Sequence, residues 1–321
     1  MLDRFEPLAS EPATYVFVVV LGLLWGSFAN VCIYRWPPTD AYPRGRSVVA
    51  PGSHCFACQA PIAWYDNVPV LAWLWLRGRC RACGAGFSPR YVLVEAVTGA
   101  LFGVAWWFAV VAARGLEPLD ARLWHFAVYA AFIYVLVVIA FIDLDHKLIL
   151  NKITVPSIAI FYAASFLWPA RHWYDGVVGA AVGYGLPWAI GEVYYRVTRR
   201  EGMGLGDGML LALVGALLGW RGVLVALFGG SVVGSVIGIA ALLAGRGDEP
   251  PGGEAGEAAE HAGAAAPPLA APAAERGVGD DAGPPSLMRT ELPFGPFLAI
   301  AALFYLFAEP WIQLHFHLPG G

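Results

Sequence analysis

Asp143 and Asp145 close an apolar run in Phe141-Ile142-Asp143-Leu144-Asp145-His146, and Asp207 lies 64 positions beyond the first of them, in Gly202-Met203-Gly204-Leu205-Gly206-Asp207-Gly208. Ionisable groups inside apolar runs are costly, so each is a functional candidate. Two carboxylates held close together cannot both ionise cheaply; one keeps a proton while the other stays charged near neutral pH, which places an acid and a base in one site. A water between them can then be deprotonated by one as the other protonates a carbonyl oxygen. The alternating glycines fit this use, because uncovered backbone lets a carboxylate meet an extended peptide. The competing reading is structural: carboxylates at span ends often pair with cations such as Lys147 or His146 at headgroup level, and glycine clusters often just end helices. Residues two apart on a helix point roughly 200° away from one another, so only one of Asp143 and Asp145 can face Asp207. Glu95 and Glu192 also fall in apolar runs, nearer their ends.

The second chemical group is Cys55-Phe-Ala-Cys58 with Cys80-Arg-Ala-Cys83, the pairs separated by 21 residues. Four thiolates in two Cys-x-x-Cys pairs read as a tetrahedral zinc site first and as disulfides second. A module this small gains from the metal the folding energy its few apolar residues cannot supply. Cys32 stands apart, in an apolar run, and reads as a small buried apolar residue.

The elements that must position these groups follow from composition. Of 321 residues, 58% are apolar and 14% charged, and the mean hydropathy is +0.60; a soluble globule carries about 25% charged residues to wet its surface. The chain is therefore expected to be an all-α polytopic membrane protein, with membrane lipid as its solvent. Eight apolar windows are candidate spans: about 14–34, 91–113, 123–142, 153–169, 176–195, 208–220, 222–244 and 292–309, with a turn at Trp220-Arg221-Gly222. With the N-terminus outside, fifteen of the twenty Lys and Arg fall on inside segments and five on outside ones, the asymmetry of the positive-inside rule. Both termini are then periplasmic, while the cysteines and the boundary holding Asp143 and Asp207 are cytoplasmic, where disulfides are rare. The first run looks like a retained span rather than a cleaved signal. The divisions are 1–35, a first span; 36–90, a cytoplasmic tetracysteine module; 91–245, a transmembrane core; 246–290, an insert of Ala, Gly, Pro and Glu expected to be disordered and without catalytic role; and 291–321, a last span. A net charge of −4 argues against nucleic acid as a partner.

Several blocks, in order, resemble one family: Gly26-Ser27-Phe28-Ala29-Asn30-Val31-Cys32-Ile33-Tyr34-Arg35, Asp66-Asn67-Val68-Pro69-Val70-Leu71 and Leu76-Arg77-Gly78-Arg79-Cys80 around the cysteine pairs, Asp143-Leu-Asp145-His146, Gly204-Leu-Gly206-Asp207, and Pro293-Phe294-Gly295-Pro296-Phe297-Leu298-Ala299. Together they are similar to the prepilin leader peptidases, the bifunctional type IV prepilin peptidase and N-methyltransferase family of bacterial inner membranes. The resemblance implies an intramembrane aspartic peptidase with Asp143 and Asp207 as catalytic residues and Asp145, Gly204 and Gly206 in support. It implies prepilins and the pilin-like pseudopilins of secretion systems as substrates, cut after a glycine on the cytoplasmic side. It also implies methylation of the new N-terminal amine by S-adenosylmethionine. No Gly-rich nucleotide fingerprint follows a strand here, so the residues of methyl transfer are unassigned. Where the family often has Leu-Pro-Asp after the Asp-x-Asp-His run, this chain has Leu148-Ile149-Leu150-Asn151. Two other classes fit parts of the pattern: an intramembrane aspartic protease of another substrate class, which would keep the dyad without the cysteine module, and a non-enzymatic assembly or transport protein whose carboxylates bind ions or protons.

Overall fold

The computed structural model of the chain describes residues 2–168, 171–199, 204–245 and 293–316; the insert at 246–290, Gly202 and Met203 lie outside them. A large unit comprises Met1–Gly234 with Pro293–Gly321, and a small one Ser235–Leu292, whose described part is helical through Gly245. Among the described residues the regular structure is helical: α1 (Pro12–Arg35), α2 (Leu71–Trp75), α3 (Arg90–Trp106, prolonged by a π turn to Val111), α4 (Leu119–His146), α5 (Asn151–Ser165), α6 (Trp173–Thr198), α7 (Leu205–Gly245) and α8 (Gly295–Phe316). Helices occupy all eight apolar windows, the sixth and seventh merged as α7. Four described stretches are long and apolar enough to cross a membrane: Pro12–Arg35, Arg90–Val111, Leu119–His146 and Leu205–Ala240. At fifteen residues α5 spans about 22 Å of a hydrocarbon core near 30 Å, and α6 carries Asp175, Glu192 and Arg196 within its length.

The expected turn at Trp220–Gly222 is instead a break one residue earlier: Gly219 has φ 71° and ψ −177° inside α7. Only glycine enters that region readily, so the break falls on the glycine rather than on the bulky Trp-Arg pair. The first arm of α7 runs against α6 through small residues: a Cβ at Gly179 would strike the backbone of Gly215, and one at Gly183 the backbone of Leu211. The same device joins α1 to α3. Gly22 lies against Gly99 and Phe102, and Gly26 against the backbone of Glu95, so a Cβ at either would sit under 3 Å from its neighbour. In lipid, where apolar burial gives no net drive, such close backbone approach is what associates helices.

α4 forms the centre. Its Phe132, Ile133, Leu136, Ile139 and Ile142 are buried, with Leu210, Leu213 and Leu217 of α7 and Leu298 and Leu306 of α8 in the same cluster. Phe17, Leu24, Ile160, Val193, Phe228 and Phe304 are exposed, as lipid-facing positions should be. Cys32 is fully buried, as the sequence implied, and its sulfur lies 3.3 Å from the Tyr134 hydroxyl, tying α1 to α4.

Candidate active site and metal centre

Asp143 lies in the last turn of α4 and is 5% exposed. The helix stops at His146, three residues later: Lys147 turns left-handed at φ 49°, and its N–H donates to the Asp143 carbonyl at 2.8 Å. The chain then runs extended through Leu150 into α5, making this turn without the proline that the family often places there. Within it Ile149 is buried, and Gly206 lies directly against its side chain. Asp207 is the third residue of α7; its N–H donates to the Gly204 carbonyl at 3.2 Å, and its carboxylate lies beside Gly204. An acidic residue in a first turn faces the positive end of the helix dipole. Gly206, next to Asp207, thus packs on Ile149, six residues beyond Asp143, and so brings the start of α7 to the end of α4.

The glycine stretch is more regular than expected. Gly206 and Gly208 are helical, and of the four alternating glycines only Gly204 is described as outside the helix. Their small size is used for packing, Gly206 on Ile149 and Gly208 on Tyr184.

The two aspartates of the Asp-x-Asp run have different partners, as the helical period requires. Asp145 forms an ion pair with Arg90, the first residue of α3, and Arg90 also donates to the Phe141 carbonyl at 3.0 Å. Asp143 instead accepts a hydrogen bond at 2.9 Å from the backbone N–H of Gly295, the first residue of α8. Among the described residues no cationic side chain lies within ion-pair distance of Asp143 or Asp207, so the pairing with Lys147 or His146 weighed above does not occur at Asp143. Glu192 forms an exposed pair with Arg196 at 2.7 Å, a surface role. Gly295 is a partner of Asp143 that sequence reasoning missed. The signal was the Phe-Gly-Pro-Phe run at a helix start, since a Cβ on residue 295 would lie 2.7 Å from the Asp143 carboxylate.

The four paired cysteines carry free thiols, and their sulfurs all lie within 4.8 Å of one another. Sγ of Cys55 is 3.8 Å from that of Cys83, and Sγ of Cys58 is 4.0 Å from that of Cys80. The two halves are built alike. A β-bridge flanks each pair, His54 with Pro61 and Arg79 with Gly86, and a left-handed residue follows each second cysteine, Gln59 at φ 58° and Gly84 at φ 74°. The backbone N–H groups of Cys83 and Ala82 hold the Cys80 thiol down to about 7. Four convergent thiols of this kind could hold a metal ion. Arg81, between the second pair, chelates Asp66 with contacts of 2.8 and 2.6 Å and holds its carboxyl below the usual carboxylate range.

Residues 20–109 match the family described as bacterial Peptidase A24 N-terminal domain, and residues 130–239 match the type IV leader peptidase family. A prepilin leader peptidase/N-methyltransferase of Myxococcus xanthus is 37% identical over 94% of this chain and 92% of its own length. This chain belongs to the prepilin leader peptidase family. Relatives of the same name from Aeromonas hydrophila, 36% identical over 71% of this chain and 81% of their own length, and from Dichelobacter nodosus, 29% identical over 98% of both, are also similar to it. No solved structure matches the chain. Within the prepilin leader peptidase family, the N-terminal match covers α1 from residue 20, the cysteine module and Arg90–Trp106 of α3, and the second match covers Asp143, Asp145 and Asp207.

Proposed function

We propose that the chain is a prepilin peptidase of the bacterial inner membrane, which removes the leader of type IV prepilins and pseudopilins at the cytoplasmic face and methylates the new N-terminus. What supports the reading is the packing of Gly206, beside Asp207, on Ile149, just beyond Asp143, which brings the two helix ends together in a chain of this family. Asp143 takes the role of base, because its carboxylate accepts the Gly295 N–H, a charge-assisted hydrogen bond that the Asp207 carboxylate does not receive among the described residues. Asp207 takes the role of acid. As water attacks the scissile carbonyl, its proton passes to Asp143 and the Asp207 proton passes to the carbonyl oxygen; as the C–N bond breaks, the Asp143 proton passes to the leaving amine nitrogen and a hydroxyl proton of the tetrahedral intermediate returns to Asp207. Arg90 holds Asp145 away from the dyad, which leaves Asp145 a supporting role.

The cysteines bind zinc. A tetrahedron with Zn–S bonds of about 2.3 Å has edges near 3.8 Å, which the Cys55–Cys83 and Cys58–Cys80 separations fit. Eight crossings, with both termini periplasmic, complete the reading. Its support is charge: of the five outside cations, Arg114 and Arg122 pair with Glu6, and Arg171 with Glu309 at 2.9 Å, so they add little net positive charge there. S-adenosylmethionine is the methyl donor.

The test is leader removal from a prepilin in membranes carrying the protein. Asp143→Asn and Asp207→Asn should each leave the precursor uncut; processing that survives either change overturns the dyad.

A further inference from the structure

The five residues of α2, Leu71-Ala72-Trp73-Leu74-Trp75, are all apolar, although they belong to the cysteine module rather than to a span. Leu71, Leu74 and Trp75, spaced i, i+3 and i+4, share one face of the helix, and they are 66%, 58% and 82% exposed. The other face lines a cavity with Ala72 and Trp73, and the Trp73 indole N–H donates to the Phe87 carbonyl at 3.2 Å. A water-facing module gains nothing from two leucines and a tryptophan on its outside; contiguous apolar surface of this kind marks contact with a partner or with lipid.

Depth decides between the two. The N–H of Val70, the residue before α2, donates to the Glu95 carboxylate at 2.8 Å, and the Glu95 backbone packs on Gly26 of α1. Glu95 lies five residues, about 7.5 Å, inside the start of α3, and Gly26 nine residues, about 13.5 Å, inside the end of α1. The stretches Pro12–Arg35 and Arg90–Val111 measure about 36 and 33 Å, so each exceeds a hydrocarbon core of about 30 Å by only a few ångströms shared between two ends. Glu95 is therefore inside the core. Its side chain leans towards the N-terminal end of α3, as helical side chains do, and so meets Val70 near the edge of the core. α2 thus starts at the level where acyl chains give way to headgroups. Two exposed cations, Arg77 and Arg79, follow Trp75 directly.

We propose that α2 is seated in the lipid leaflet on the side of the membrane marked by the Arg90–Asp145 pair, with Leu71, Leu74 and Trp75 at the acyl boundary and Arg77 at the phosphates of anionic lipid. Helices that lie in this interface bury a face of Trp, Phe or Leu about 5–10 Å into the boundary between headgroups and acyl chains and carry Lys or Arg beside it. Trp is enriched at that level, and an arginine there extends its apolar stem along the surface while its charge reaches the phosphates. The apolar surface of α1 and α3 is continued by α2, and one solvent, lipid, covers both. Glu95 holds the turn before the helix and the leaflet holds its exposed face, so the module is fixed to the membrane at both. The inference needs α1 and α3 to cross the bilayer and does not depend on which substrate is cut or methylated.

The experiment replaces Trp75 with photoreactive p-benzoylphenylalanine in the full-length protein, reconstitutes it in nanodiscs of phosphatidylcholine and phosphatidylglycerol, irradiates them and maps the adducts by mass spectrometry. A phospholipid adduct is expected at position 75, and its loss when the probe instead replaces Trp73, on the cavity face of the same helix. The adducts at position 75 should be enriched in phosphatidylglycerol over its molar share, and Arg77→Gln should cut that enrichment by up to about fivefold. Melting temperature reports whether each variant is folded. Where the probe unfolds the protein at Trp75 or Trp73, Leu71 or Leu76 takes its place. An adduct at position 75 to another peptide of this chain or of a second copy, no lipid adduct there, or equal lipid adducts on both faces overturns the proposal. An enrichment that Arg77→Gln leaves unchanged overturns the assignment of Arg77 to the phosphates.

Discussion

Replacing Gly295 with Ala should separate catalysis from folding. The added Cβ would lie 2.7 Å from Oδ2 and 3.1 Å from Cγ of Asp143, whereas non-bonded heavy atoms settle near 3.5 Å. About 0.8 Å must therefore be recovered, by Asp143 swinging aside or by the start of α8 retreating. Either movement stretches the 2.9 Å Gly295–Asp143 bond towards 3.7 Å, beyond hydrogen-bond range. A hydrogen bond to a charged group contributes about 1.5–3 kcal/mol, and a 1 Å displacement of a reacting group lowers a rate about 100-fold. The two agree: 100-fold is about 2.7 kcal/mol. Leader cleavage by Gly295→Ala in proteoliposomes should thus fall about 100-fold in kcat/KM. Gly295 is the first residue of its helix, where the gain in helix propensity is small beside the lost bond, so the protein should still fold with a thermal midpoint lowered by the equivalent of about 1–3 kcal/mol. Wild-type cleavage by this variant would refute the positioning argument, and loss of folding would refute the claim that its effect is local.

Four further outcomes follow from the same geometry. Asp143→Asn keeps an acceptor for the Gly295 N–H and should fold normally while inactive; Asp143→Ala orphans that buried donor and should be less stable by about 1–3 kcal/mol, read as the difference between their denaturation midpoints. Arg90→Met removes a partly exposed ion pair worth about 1 kcal/mol or less, but frees Asp145 beside the dyad, so cleavage should drop about tenfold with little change in melting. Cys55→Ser should take the bound metal, read by atomic absorption, from one per chain to none and open residues 36–90 to protease; unchanged metal content would exclude the four-thiol site. Gly219→Ala meets no atom closer than 3.9 Å, so its effect is backbone strain alone, about 1–3 kcal/mol, seen as a lower melting temperature.

What could be read from the sequence was whatever is encoded locally. The four thiols announce themselves by spacing, and the apolar windows by length. Asp143 and Asp207 announce themselves as acids where acids are costly. The helical period says only that Asp143 and Asp145 diverge, while the resemblance to the family is what picks Asp143; Arg90 beside one and Gly295 beside the other realise that divergence. The features that escaped are tertiary. The Phe-Gly-Pro-Phe run marks residue 295 as a helix start, but not as the place where a missing Cβ makes room for a carboxylate 152 positions earlier. The glycines near Asp207 suggested loose backbone because composition cannot distinguish a glycine needed for a turn from one needed for contact, and Gly206 and Gly208 are needed for contact. The break in α7 was displaced by one residue for a related reason: Trp220-Arg221-Gly222 looks like a turn, but the backbone reverses hand at Gly219.

The contacts that place the two carboxylates come mostly from the ends of helices rather than from their sides. Gly295 opens α8, Arg90 opens α3, Asp207 sits in the first turn of α7, and Asp143 in the last turn of α4. A helix start leaves backbone N–H groups without intrahelical partners, and near hydrocarbon such groups cannot stay bare. A carboxylate at the same depth is equally short of partners. Each satisfies the other at Gly295 and Asp143, so the charge the chemistry needs is held by a group the fold had to satisfy in any case. On the proposed function this also accounts for a site at a membrane boundary, where helix ends and buried acids occur together and a substrate would pass from a polar leader to an apolar helix.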